Sequence, residues 1–350
     1  MDSFAERLIG WYTVNKRDLP WRLTQDPYAV WLSEIILQQT RVDQGLPYWE
    51  RFMKKFPTVE ALADASEENI LRLWQGLGYY SRARNLHAAA KYIKNELKGV
   101  FPRTFREILQ LKGVGPYTAA AIASICFGEA IPVVDGNVFR FASRYFGITE
   151  NIASSKTRKT FENLLRDHIL KENPGNFNQA MMEFGARVCT PSPNCSFCTF
   201  QMGCYAFKRN LQKKLPNKSK KINVRDRFFH YLVLKSENRY YMKVRQSNDV
   251  WTGLYDFYLI EGEMNEDEVL HESSKFLDDI DFTVEQVSNK VKHILSHQRI
   301  HARFYELELN ENDQTSVLQK AGLHAFSHDE MLNLPKPKLI VNYLDQLGIK

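Results

Sequence analysis

The chain has 350 residues, 44% hydrophobic and 25% charged, with a net charge of +6 at neutral pH. That length exceeds what one hydrophobic core usually serves, so two domains are expected, and the composition excludes a chain disordered throughout. The N-terminus carries acidic residues and no long apolar run, and no stretch of about 18 apolar residues occurs, so neither secretion nor membrane spanning is expected and a cytoplasmic protein is.

The charge is unevenly placed. Residues 1–207 hold 25 Lys/Arg against 20 Asp/Glu, residues 208–227 hold nine against one, and residues 228–350 hold 13 against 20. The first two segments attract polyanions and the last does not.

Up to about residue 206 the pattern is helical. Residues 30–37, VWLSEIIL, put Glu34 among apolar neighbours, where a carboxyl tends to stay protonated and can act as a general acid. The plain alternative is a partly exposed helix residue sharing a polar face with Ser33 and Gln38. Apolar spacing continues at Ile70, Leu71, Leu73 and Trp74, then at Leu86, Ala89, Ala90 and Ile93. Residues 111–119, LKGVGPYTA, read as a hairpin between helices, with Gly113 and Gly115 letting the backbone turn and leaving N–H groups that can hold a DNA phosphate. Ordinary helical hairpins use glycine as well. Cys126, in an apolar helix, reads as a core residue.

Asp135 closes the apolar run IPVV and opens a helix, which is an N-cap position. Cys189, Cys195, Cys198 and Cys204 give C-x5-C-x2-C-x5-C, four thiols in 16 residues. That density reads as a metal site in a reducing compartment, and zinc and an iron–sulfur cluster both fit it. Residues 208–227 read as an exposed basic linker, either merely solvated or laid against DNA phosphate. Beyond it, residues 228–234, 240–244 and 299–309 read as strands and 266–277 as a helix, giving a smaller α+β domain.

LPWR at 19–22, WLSEIILQQT, GLGYYSRARNL, LKGVGPYTAAAIAS, VVDGNVFR, FNQAMMEFGA and the cysteine loop together resemble the helix-hairpin-helix DNA glycosylases with an iron–sulfur loop, most of all the MutY-type adenine DNA glycosylases. The resemblance implies a mainly α protein: a two-lobed all-α glycosylase domain at 1–207 with its cysteine loop at 189–204, a basic linker at 208–227, and an α+β Nudix-like domain at 228–350. It further implies a monomer acting on duplex DNA that contains adenine opposite 8-oxoguanine or guanine, with a 4Fe–4S cluster on the four cysteines. Glu34 would protonate the adenine at N7 and Asp135 would stabilise the oxocarbenium-like sugar. Tyr117 and Asn137 would support that pair, and Trp21, Arg22 and Gln179 would line the adenine pocket. Gln39 and Tyr79 match the residues that wedge into the duplex.

Tyr117 stands where endonuclease III-like lyases of the same superfamily carry a nucleophilic lysine, so hydrolysis without strand cleavage is implied. The second domain resembles the family's Nudix-like module through WTGLYDF at 251–257 and HILSHQ at 293–298. It lacks the Glu-rich box of a pyrophosphohydrolase, which implies reading rather than hydrolysis, with Ser296 and His297 at the positions that recognise 8-oxoguanine. Two departures stand out: five residues rather than six between the first two cysteines with Thr199 after the third, and Leu295 in place of an aromatic residue. The competing readings are an endonuclease III-like lyase and a non-catalytic iron–sulfur DNA-binding protein.

Overall fold

The computed structural model describes residues 3–218, 224–246, 249–278, 280–310 and 315–349. Its helical part runs α1 (Phe4–Asn15), α2 (Pro27–Ile36), α3 (Val42–Lys55), α4 (Val59–Asp64), α5 (Glu67–Trp74), α6 (Ser81–Asn95), α7 (Phe105–Ile108), α8 (Pro116–Phe127), α9 (Gly136–Phe146), α10 (Ser155–Arg166), α11 (Pro174–Arg187) and α12 (Tyr205–Lys208). A mixed part follows: β1 (Arg225–Ser236), β2 (Arg239–Val244), β3 (Tyr255–Asp256), β4 (Tyr258–Glu261), α13 (Glu266–Leu277), β5 (Phe282–Val287), β6 (Val291–Ile294), β7 (Gln298–Leu309), α14 (Thr315–Lys320), β8 (His324–Ser327), α15 (His328–Asn333) and α16 (Lys338–Gln346). The three strands and the helix read from periodicity all appear within these bounds.

The chain divides into two compact units, one of Met1–Asp64 with Asn85–Lys221 and the other of Ala65–Arg84 with Ile222–Lys350. The sequence reading placed residues 65–84 in the first domain. Their side chains bind elsewhere: Arg72 donates to the Leu332 carbonyl at 3.2 Å, Tyr80 donates to the Lys336 carbonyl at 3.4 Å, and the Gln75 carbonyl accepts from the Lys336 amide at 2.9 Å. Periodicity reports which face of a helix is apolar, not which domain that face meets.

In the first unit, two helix starts are fixed by reciprocal capping, Ser3 with Glu6 and Thr104 with Glu107. The core gathers Leu8, Val138, Phe161, Phe177, Met181 and Phe184, all fully buried, and is closed by aromatic rings. Phe200, from the cysteine loop, enters that core 1% exposed and meets Phe141 and Phe184 at 5.4 and 5.0 Å between centroids. One ring therefore pins the loop to α9 and α11. Cys126 departs from the core assignment, being only half-buried in the last turn of α8.

In the second unit the strand order is β3-β2-β1-β7-β5, with β4 also on β1, β6 on β7 and β8 on β2. β1 and β7 run parallel over eleven paired positions, from Arg225↔Gln298 to Lys235↔Glu308. Leu232, Leu234, Tyr305 and Leu307 bury one face of that pair with Val269 and Leu277 of α13. The stretch expected as an exposed basic linker is partly ordered: Leu215 is buried, and Arg225 and Arg227 lie in β1. Residues 219–223 of that stretch lie outside the described residues.

The hairpin before α8 depends on glycine at one position and not at the other. Gly113 has φ +79°, and a Cβ there would stand 2.6 Å from the Asn85 Cβ, whereas Gly115 caps α8 at φ −96° with open space around it. Gly113→Ala is expected to cost about 1–3 kcal/mol, and Gly115→Ala well under half of that. Chemical-denaturation midpoints compare the two; equal losses would contradict this reading of the turn.

Candidate active site

Five segments of the first unit converge on one pocket, and each brings a residue that the sequence had singled out. α2 supplies Glu34. Asp26 caps this helix by accepting from the Tyr28 amide at 3.0 Å, and Pro27 sits at its first position, where no donor is needed. Every residue from Tyr28 to Ile36 is buried, so Glu34, 9% exposed, cannot turn to water. Burial pushes its carboxyl up to about 7; Asp135 adds to the rise, while a hydrogen bond from Tyr117 and the Arg22 charge oppose it. The partly exposed alternative for Glu34 is thereby set aside.

Tyr117 stands at the second position of α8, its hydroxyl 3.1 Å from the Met182 Sδ. Burial and the two nearby carboxyl groups hold that phenol well above its usual range, so it stays protonated. Asp135 is indeed the N-cap of α9, accepting from the Val138 amide at 2.7 Å, and it also accepts from the Asn137 Nδ2 at 2.9 Å. Burial raises its carboxyl above the usual value, while these donors and Arg140 pull it back by favouring the charged form. Its capping role and its place in the pocket are compatible, because the same carboxylate does both.

The opposite wall is built from α11 and the segment before α2. Gln179 is buried and accepts from the Tyr12 hydroxyl at 2.9 Å, and Trp21 is buried edge-on to Trp49 at 5.6 Å. Glu183, one helical turn beyond Gln179, was not singled out from the sequence. Arg17 grips it with two bonds of 2.8 and 2.7 Å, and Arg22 adds one of 2.8 Å. Burial alone would raise the Glu183 carboxyl, but the Arg17 and Arg22 hydrogen bonds win and bring it down to about 2. The signal was available in FNQAMMEFGA, since residues four apart share a helix face.

The remaining candidates lie away from this pocket. Gln39, just after α2, is exposed with φ 56°, and Gly113 and Gly115 sit in the hairpin before α8. Within the second unit, Tyr79 (φ 48°) hydrogen-bonds Ser296, and both line a second pocket with Trp251, His293 and the exposed His297. Gln39 and Tyr79 thus both hold non-glycine residues in the left-handed region, a conformation concentrated at functional sites.

Cys189, Cys195, Cys198 and Cys204 are free thiols lining one pocket, despite the shortened first spacing. Burial raises the thiols of Cys189, Cys195 and Cys198, pushing Cys198 up to about 11, so thiolates here call for a bound cation. Among the described residues no group of three or more His, Cys, Asp and Glu is placed to hold a metal ion. The Arg144 guanidinium lies 3.4 Å from the Cys189 Sγ and donates to the Thr190 and Pro191 carbonyls at 2.6 and 3.1 Å. Arg140 joins the two regions, donating to the Cys189 carbonyl at 2.7 Å and to the Asn137 Oδ1 at 2.8 Å.

Glu183 stabilises the fold only while charged. Its folded pKa is depressed, so its contribution is fully present above about 4.5 and is lost as pH falls toward about 2. Glu183→Gln, which leaves two arginines short of a carboxylate, is expected to cost about 3 kcal/mol near neutral pH. The gap to the parent should shrink below pH 4.5. Denaturation midpoints between pH 2 and 7 check this; a gap that does not vary with pH would contradict it.

Two family models match the chain: the HhH-GPD superfamily of base excision DNA repair proteins over residues 32–167, and the NUDIX domain over residues 230–346. The adenine DNA glycosylase of Buchnera aphidicola subsp. Schizaphis graminum is 32% identical over 337 residues, covering 95% of this chain and 96% of that protein. The human adenine DNA glycosylase is 45% identical over 223 residues, 61% of this chain and 41% of that protein. Among solved structures, a thermostable thymine-DNA glycosylase superposes with a TM-score of 0.55 at 29% identity, covering 59% of this chain and 95% of that one. The pocket of paired carboxyl groups, the helical unit that builds it and the likeness along nearly the whole chain agree: this protein belongs to the adenine DNA glycosylases, base-excision repair enzymes of the HhH-GPD superfamily that carry a C-terminal Nudix-like domain.

Proposed function

We propose that this glycosylase removes adenine paired with 8-oxoguanine or guanine in duplex DNA by hydrolysis, without cleaving the strand. The observation that carries the proposal is a pair of carboxyl groups in one pocket with different surroundings. Glu34 is walled by apolar helix and poised near 7, while Asp135 is held by N–H donors at a helix N-terminus. A buried acid and a carboxylate are what cleavage through an oxocarbenium-like state requires.

The mechanism follows from those states. The nucleotide is turned out of the helix, because its glycosidic bond cannot be reached inside the stack. Gln39 and Tyr79 each match a residue that wedges into the duplex in this family. Trp21, Arg22 and Gln179 surround the adenine, with Arg22 held in place by Glu183. Glu34 gives its proton to N7, so the base departs as a neutral molecule when the C1′–N9 bond breaks. Asp135, kept in position by Asn137 and Val138, faces the positive sugar. Water adds to C1′ and its proton returns to Glu34. The Tyr117 hydroxyl orients the acid and offers no amine; among the described residues that line the pocket, none is a lysine. Without an amine no Schiff base forms, which disfavours the endonuclease III-like lyase. A non-catalytic binding protein has no use for an acid poised near 7.

Adenine is a normal base, so the partner base must be read. Ser296 and His297 stand exposed at the second unit's pocket beside Tyr79 and Trp251, where they can meet the N7–H and O8 that separate 8-oxoguanine from guanine. Gly113 and Gly115, at the start of α8, offer backbone amides to a phosphate. The four cysteines would hold a 4Fe–4S cluster, which when bound would cross-link loop 189–204 to itself, while Phe200 ties that loop to α9 and α11.

Three outcomes are expected. Single-turnover release of adenine should fall about tenfold per pH unit above pH 7, as the Glu34 proton is lost, and Glu34→Gln should bind DNA yet lose roughly a hundredfold or more of the rate. Turnover retained in that variant, or a rate that rises with pH through 7, would remove Glu34 as the acid. Ser296→Ala combined with His297→Ala should weaken the preference for 8-oxoguanine over guanine opposite adenine; equal loss on both duplexes would show that the pair supports the fold instead.

A further inference from the structure

Arg227 belongs to the stretch whose charge suggested contact with DNA phosphate, yet its guanidinium is fully engaged inside the second unit. Its side chain is 8% exposed. It grips Asp249 with two bonds of 2.7 and 2.6 Å and Glu261 with two of 2.7 Å, and donates to the Gln298 Oε1 at 3.0 Å. Asp249 is held from a second side by Arg245 at 2.8 Å, and Arg245 in turn holds the buried Asp256 at 2.7 Å. The cluster is a chain of alternating charges in which each carboxylate touches a guanidinium.

The targets of Arg227 matter more than their number. Asp249 and Gln298 both line the pocket that holds Ser296 and His297, while Arg227 itself does not. Asp249 opens the segment that carries Trp251, with its carbonyl accepting from the Thr252 hydroxyl at 2.8 Å. Gln298 ends the turn that presents Ser296 and His297, and its carbonyl accepts from the Leu295 amide at 2.8 Å. The backbone of β1 ties the same turn, the Arg225 amide donating to the His297 carbonyl at 3.0 Å. Arg227 also lies over the Phe229 ring at 4.7 Å, and that ring meets Trp251, which meets His293. One planar cation therefore fixes both walls of the pocket at once.

We propose that Arg227 is a positioning residue for partner-base recognition, setting the distance between the Trp251 segment and the Ser296–His297 turn through Asp249 and Gln298. The proposal rests on the reading of that pocket as the site that senses 8-oxoguanine. A lysine would keep the charge but brings three donors in place of five and no planar fork, so it cannot hold Asp249 and Glu261 bidentately and Gln298 as well. The two walls would then move independently, and the reader would lose its ability to tell the two partner bases apart.

The test compares single-turnover adenine release opposite 8-oxoguanine and opposite guanine in the parent enzyme, Arg227→Lys, Glu261→Gln and the double variant Ser296→Ala/His297→Ala. Arg227→Lys is expected to lower the ratio of the two rates about tenfold, with the rate opposite guanine unchanged within about twofold. Glu261→Gln changes the more exposed partner, so it leaves a foldable chain even if Arg227→Lys does not, and should lower the ratio in the same direction by a smaller factor. A shift in the double variant with no shift in either cluster variant overturns the positioning role and leaves the pocket reading intact. No shift in any of the three overturns both. Equal losses on the two duplexes in both cluster variants would make the cluster a structural support alone, and overturn the proposal.

Discussion

The site is organised by the cost of hiding a carboxyl group from water. Glu34 sits in a helix buried from Tyr28 to Ile36, and its proton is held up to about 7 because ionising it there has no solvent to lean on. The difference from an ordinary glutamate corresponds to about 3 kcal/mol of lost stability above neutral pH. A chain selected for stability alone would carry an apolar residue there. Tyr117 and Asp135 act on this same proton in opposite directions, the first by a hydrogen bond that favours the charged carboxylate and the second by a negative charge that disfavours it.

The pocket holds a second buried glutamate with the opposite fate. Glu183 is 1% exposed, more buried than Glu34, and yet it is charged down to about pH 2, because Arg17 and Arg22 meet it directly. Burial therefore does not decide the protonation state by itself; the partner does. The same rule runs through the second unit, where Asp249 is locked between Arg227 and Arg245. Beside Asp135, Arg140 bridges Asn137 to the Cys189 carbonyl and so ties the cysteine loop to the start of α9.

Much of this was legible in the residues. Glu34 in VWLSEIIL announced a carboxyl with apolar neighbours, and Asp135 after IPVV announced a cap; both statements describe local chain, which is what a pattern encodes. α13 appears at the bounds its periodicity indicated. The place of Glu183 on the face of Gln179 could have been read from FNQAMMEFGA, but not its pairing with Arg17, 166 residues earlier in the chain, which no local pattern records. Residues 65–84 escaped for a related reason: the apolar face of α5 looks alike whichever unit it packs in. Arg227 read as one more charge in a basic run, since the carboxylates that meet it come from strands and turns that only the fold assembles.

The central claim is that Glu34 keeps its proton up to about pH 7, and its titration can be followed directly. Carbon-13 NMR of glutamate carboxyl-labelled enzyme, with Glu34→Gln to assign the signal, should show one carboxyl titrating with a midpoint of about 7. A midpoint near the ordinary glutamate value, around 4.5, would mean that the buried helix does not hold the proton, and the account of the acid would fall with it.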